Sequence, residues 1–178
     1  MVYVFLADGF EEIEALATVD VIRRAGIDCK TVGVTGKTVI GAHNISVISD
    51  ILPEEIEKSD ITAVVLPGGM PGTVNLDKSA AVQGAVLYAA EKGLLIAAIC
   101  AAPSVLGHLG LLNGKKATCY DGFEGELTGA KVEKVPVCRD GNIITAIGAG
   151  AAVAFGLEIV KALKGEEESK KIYSSMKC

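Results

Sequence analysis

The chain has no tryptophan, and aromatic residues make up only 4% of its 178 positions. That scarcity argues against a surface that stacks single-stranded nucleic acid on aromatic rings. Positive charge is also short: 17 Lys and Arg against 22 Asp and Glu give a net charge of −5. No basic stripe is left to track a phosphate backbone, so no nucleic acid partner is expected. Histidine occurs twice, as His43 and His108. Neither makes a metal-ligand spacing with the other or with a carboxylate along the chain, and no metal is expected. Long apolar runs are missing too. Mean hydropathy is +0.43, yet the longest unbroken apolar run is Leu94–Ala102, well short of the ~20 residues a spanning helix needs. Met1–Leu6 lacks a basic start and reaches Asp8 at once, which is not the pattern of a secretion signal. The expectation is a cytoplasmic protein with no membrane contact.

Half of the residues are hydrophobic, and 21 are glycine. The apolar mass is Ala, Val, Ile and Leu, a composition that disordered chains lack. The length predicts one domain over residues 1–178. Five cysteines stand far apart with no CxxC pair, which argues against a disulfide scaffold or a zinc site and for a reducing compartment.

Short apolar runs alternate with helical patterns. Val2–Leu6, Asp28–Val34, Thr62–Leu66 and Leu94–Ile99 read as strands. Glu11–Ala25, Ala80–Lys92, Pro103–Leu109, Ala149–Leu163 and Glu166–Met176 read as helices. Thr38–Ile51 suggests short antiparallel strands around Ala42-His43-Asn44, and Pro53–Glu57 a short acidic helix or turn. Lys116–Tyr120, Val135–Arg139 and Asn142–Ala146 read as further strands, the last two joined by an Asp140-Gly141 turn. The alternation predicts an α/β fold with a mainly parallel sheet covered by helices on both faces. Sites in such folds lie at the carboxyl ends of the strands. Two nucleotide motifs fail there. Thr35-Gly36-Lys37-Thr38 has Thr31 where a P-loop needs glycine, and Gly148-Ala149-Gly150 lacks the third glycine of a dinucleotide fingerprint. No cofactor is expected.

One constellation survives. Cys100 follows the strand Leu94–Ile99 and precedes Pro103, which suits a first helical turn. It therefore falls on a strand-to-helix corner with small neighbours, the topology of a nucleophile elbow. A helix N-terminus there would favour a thiolate, so Cys100 is expected to titrate well below the ordinary thiol value of about 8.5. The bland alternative is a small buried hydrophobe. Glu14 shares a helical face with Phe10, Ala17 and Val21. A carboxyl on that inward face would have a raised pKa and could donate a hydrogen bond to a thiolate. The alternative is dipole complementation at a solvated helix end. Gly68-Gly69 could present backbone N–H groups, and the amides of Gly69 and Ala101 could together form an oxyanion hole. The alternative there is an ordinary tight turn.

Asp8-Gly9-Phe10-Glu11-Glu12-Ile13-Glu14, Leu66-Pro67-Gly68-Gly69-Met70-Pro71-Gly72 and Ala97-Ala98-Ile99-Cys100-Ala101-Ala102-Pro103 resemble the three signature segments of the ThiJ/PfpI superfamily, on its DJ-one-like branch. The resemblance runs the length of the chain. It implies a flavodoxin-like three-layer sandwich, usually a homodimer, with an oxidation-prone cysteine at Cys100 and a protonated glutamate at Glu14. Gly69 and Ala101 match the family's backbone donors, with Gly68 beside them in the pocket. Two positions depart from the family. Ala101 stands where the protease-like branch has histidine, and Tyr120 where the DJ-one-like branch often has a pocket histidine. His108 is eight residues along from Cys100, about 12 Å on a helix, too far to pair with it. His43 could reach the pocket only from a partner chain or by an unexpected fold-back. The implied activity is glyoxalase- or deglycase-like conversion of a small reactive carbonyl or glycated substrate. The alternatives are an oxidative-stress sensor or chaperone-like protective protein using Cys100 oxidation without turnover, and, last, a cysteine peptidase or amidase.

Overall fold

The computed structural model describes residues 1–178. Its central sheet has six strands: β1 (Val2–Leu6), β2 (Cys29–Gly33), β5 (Ala63–Leu66), β6 (Leu95–Ile99), β9 (Val137–Asp140) and β10 (Ile143–Ala146). Their order is β2-β1-β5-β6-β10-β9. All neighbours are parallel except β9, which runs antiparallel to β10 at the edge. This is the flavodoxin-like order, with its crevice where the connections change direction, between β1 and β5.

The sheet is apolar on both faces because both are covered. Along β1, Tyr3 and Phe5 point into one core, which takes in Val82, Val86 and Ala89 of α3 (Ala80–Glu91) and Val105 and Leu106 of α4 (Pro103–His108). Val2, Val4 and Leu6 point into the other. There they meet Ala15, Val19 and Ile22 of α1 (Glu12–Arg24), and Phe155 and Ile159 of α5 (Ala152–Lys164). A strand alternates its side chains with period two, so one five-residue strand feeds two cores. α6 (Glu166–Met176) packs Ile172 against α1 and α5. No helix is long and apolar enough to cross a membrane.

The expected sandwich is present, with local differences. The expected antiparallel pair is β3 (Thr38–Ile40) and β4 (Ser46–Ile48), with His43 in the intervening loop. The strand expected over Lys116–Tyr120 shrinks to β7 (Lys116–Ala117), which pairs in parallel with an unforeseen β8 (Lys131–Val132). The hairpin turn sits one residue later than expected, at Gly141-Asn142, where Gly141 takes φ +64°. A helix that the sequence pattern does not reveal, α2 (Gly72–Lys78), fills the stretch before α3. Seven mixed residues are too few to display a helical period, and the preceding Pro-Gly pairs read as loop.

Candidate functional site

Three chain segments meet at the carboxyl end of the sheet. The first follows β1. Glu11 caps α1 by accepting the Glu14 N–H at 2.8 Å, and this fixes the first helical turn. Glu14 then points inward, with only 1% of its surface exposed. The second follows β5, where Gly69 takes φ +91°. The Gly68 carbonyl accepts the Glu11 N–H at 2.9 Å, and the Gly68 N–H donates to Glu14 Oε2 at 2.8 Å. The third is Cys100, after β6.

Cys100 takes φ +65°, a left-handed conformation that a side-chain-bearing residue adopts at a cost of about 1–3 kcal/mol. Its N–H donates to Ala146 O and its carbonyl accepts the Tyr120 N–H, both at 2.8 Å. The end of β10 and the loop after β7 thus clamp the corner, and the side chain is turned toward Glu14. Gly68 sits between them. A Cβ there would lie 2.6 Å from Cys100 Cβ and 2.7 Å from Glu14 Oε2. Only glycine leaves the thiol and the carboxyl in contact.

The electrostatics correct the expectation of an independently acidic thiol. Burial pushes Glu14 up to about 7, although the Cys100 contact and the Gly68 N–H pull it down. Burial, followed by the charge and hydrogen bond of an ionised Glu14, pushes Cys100 up to about 12. The Ala101 and Gly69 amides act in the opposite direction. A carboxylate beside a thiolate is strongly disfavoured in this cavity, so near neutral pH the two groups share one proton and titrate as a pair. The helix after the elbow offers little help, because α4 has only six residues. Donors divide unequally between the two groups. Two amides face the sulfur, whereas Glu14 has the one from Gly68, and its Oε1 is buried with no partner that meets hydrogen-bond geometry.

The remaining sequence candidates lie around this centre. Tyr120 reaches Cys100 through its backbone, while its ring is half exposed and lies over Gly148. His43 does fold back within its own chain, but onto α1. Its N–H donates to Glu12 Oε1 at 2.7 Å, and its Nδ1 lies 2.8 Å from Glu12 Oε2. Glu12 anchors the β3–β4 hairpin in this way, a role hidden in the sequence by the 31 residues separating the pair. One oxygen each of Glu11 and Glu12 and a nitrogen of His43 lie within 4.8 Å of one another. The hairpin's own N–H groups already use the Glu12 carboxylate, which accounts for the cluster without an ion. His108 meets acids on both sides, Asp77 and Glu126, away from Cys100.

The model of the DJ-1/PfpI family matches residues 1–162. Protein dj-1beta of Drosophila melanogaster is 36% identical over 95% of this chain and 92% of its own length. A glutathione-independent glyoxalase of Caenorhabditis elegans is 29% identical, covering 91% of this chain and 87% of its own. A deglycase of Pyrococcus abyssi is 30% identical over 92% and 99% of the two chains. Among solved structures, oxidized Toxoplasma gondii DJ-1 superposes with a TM-score of 0.94 at 34% identity, covering 98% of this chain and 96% of the other.

Proposed function

The chain belongs to the DJ-1/PfpI family, and on that premise we propose that it converts small reactive carbonyls, or their adducts on amines, to hydroxyacids at Cys100. The observation that carries this reading is the buried Cys100–Glu14 pair with backbone amides facing its sulfur. The glyoxalase and deglycase names of two relatives support it.

In this reading the shared proton resides on Glu14 and the charge on sulfur, where the Gly69 and Ala101 amides stabilise it. The thiolate attacks the aldehyde carbon of methylglyoxal, forming a C–S bond. The resulting oxyanion takes a proton and gives a hemithioacetal. Glu14, now ionised, removes the hydrogen from that carbon and returns a proton to the neighbouring carbonyl carbon. The product is a lactoyl thioester, which water cleaves to lactate and free thiol. Methylglyoxal plus one water therefore equals lactate, with no external oxidant or cofactor. On a glycated substrate the amine departs as the leaving group. The test is lactate formation from methylglyoxal by the purified protein without glutathione. Turnover above the uncatalysed rate is expected, and lactate at the background rate contradicts the proposal.

A second reading is protective oxidation of Cys100 without turnover. The oxidized state of the Toxoplasma gondii relative favours it. Oxidation at Cys100 would add acceptor oxygens within reach of the same amides. Mild peroxide followed by peptide mass spectrometry should then modify Cys100 before Cys178, although Cys178 is the exposed cysteine. Modification of Cys178 or Cys29 first contradicts it.

The proposal includes a single functional unit over residues 1–178, a cytoplasmic setting that suits five free thiols, and a homodimer. Ile13 and Leu16 on α1, and Ile40, Ile45 and Ile48 on the hairpin anchored to it, leave apolar side chains in water. Light scattering at twice 18.3 kDa supports the dimer, and scattering at 18.3 kDa contradicts it.

A further inference from the structure

A separate cavity of about 170 Å³ lies between α2, α4 and the segment after β7. Cys100 does not line it. Its apolar walls are Met70, Val74 and Phe123, and its charged wall is a clamp around His108. Nδ1 of His108 lies 3.1 Å from Asp77 Oδ2, and Nε2 lies 2.9 Å from Glu126 Oε2. Both nitrogens face carboxylate oxygens, and these contacts raise the ring's pKa and favour the imidazolium, in which both nitrogens donate. One positive ring against two carboxylates leaves the wall one negative charge in excess. No lysine or arginine lines the cavity to cancel it. Each carboxylate uses one oxygen on His108, and its second oxygen makes no hydrogen bond within the protein. Thr73 lines the same space. It is 3% exposed, and its buried Oγ1 has no partner.

From this arrangement we infer that the cavity binds a small organic ammonium ion carrying a short apolar stem. The free carboxylate oxygens accept its N–H groups, and the stem lies along Met70 and Val74. The Phe123 ring offers an aromatic face, which attracts cations. An anion would be repelled by the acid excess, and a neutral alcohol would leave that excess unmatched. The cavity is smaller than the roughly 300–1,000 Å³ of drug-sized sites, which limits the ligand to a few heavy atoms or the tip of a side chain. The site is independent of the carbonyl chemistry at Cys100.

The test is an amide chemical-shift titration of the whole protein with n-butylammonium, with 1-butanol and butyrate as controls. Saturable shifts at Thr73, Asp77, His108 and Phe123 are expected by about 10 mM for butylammonium alone, as a Kd near 1 mM requires. Asp77→Asn and Glu126→Gln should each weaken binding about five-fold, because each removes one exposed-edge charge contact. Blocked lysine, acetylated at its amine and amidated at its carboxyl, distinguishes the source. Binding comparable to butylammonium assigns lysine side chains as the ligand, and binding of butylammonium alone assigns free amines. Equal shifts with 1-butanol or butyrate, no saturation with either ammonium probe, or unchanged affinity in Asp77→Asn overturns the inference.

Discussion

Cys100→Ala is expected to lower lactate formation from methylglyoxal by at least about a thousand-fold, to the background rate. Every intermediate of the proposed reaction is covalently held by the sulfur, and no second nucleophile stands at this corner. Glu14 is the neighbouring polar side chain, and a carboxylate forms no stable hemithioacetal equivalent. The fold should survive the change. Alanine keeps the Cβ and meets the same left-handed φ of +65°, so the strain of the elbow is present in both proteins. The clamp by Ala146 O and the Tyr120 N–H uses only backbone atoms of residue 100. Initial rates at matched concentration, beside thermal unfolding curves of both proteins, check this result. Equal rates would remove Cys100 from the reaction.

The second large effect concerns Glu14 and stability. Burial raises its folded-state value from 4.5 to about 7. The folded protein therefore holds this proton more tightly than the unfolded chain does. The resulting stability is fully present below pH 4.5 and is lost as pH rises to about 7, amounting to about 3 kcal/mol at 1.36 kcal/mol per pH unit. Glu14→Gln keeps the shape and an acceptor for the Gly68 N–H but cannot ionise. Compared in a Cys100→Ala background, where the thiol no longer titrates, Glu14→Gln should lack this loss. Because Cys100→Ala also removes a contact that lowers the Glu14 pKa, the stability of Glu14→Gln relative to Glu14 should improve by at least about 3 kcal/mol between pH 4 and pH 8. Denaturant unfolding at several pH values measures the difference. Parallel curves would mean that Glu14 ionises in the folded protein as freely as in water.

The sequence revealed the parts of the molecule that depend on local pattern. β1, β5 and β6 are unbroken apolar runs, and the corner at Cys100 follows from a strand that ends four residues before Pro103. Glu14 was legible as inward because it falls on the apolar stripe of α1. Features that depend on distant pairing were not legible. Glu12 and His43 meet through a hairpin fold-back, and Asp77, His108 and Glu126 come from three separate elements. The coupling of the thiol's titration to a buried carboxyl was hidden for the same reason. A helix-corner cysteine can be seen locally, but the carboxyl that shares its proton is brought to it through the Gly68 turn, where any Cβ would separate them.

The central claim is that the pair's single negative charge resides on sulfur while Glu14 keeps the proton. The ultraviolet absorbance of the thiolate, titrated in the native protein and taken as a difference from Cys100→Ala, reads that charge directly. The account predicts that the Cys100 thiolate appears with the first ionisation of the pair, with its midpoint near pH 7, the value to which burial raises Glu14. A Cys100 thiolate that appears only as pH approaches about 12, after Glu14 has ionised, would contradict it.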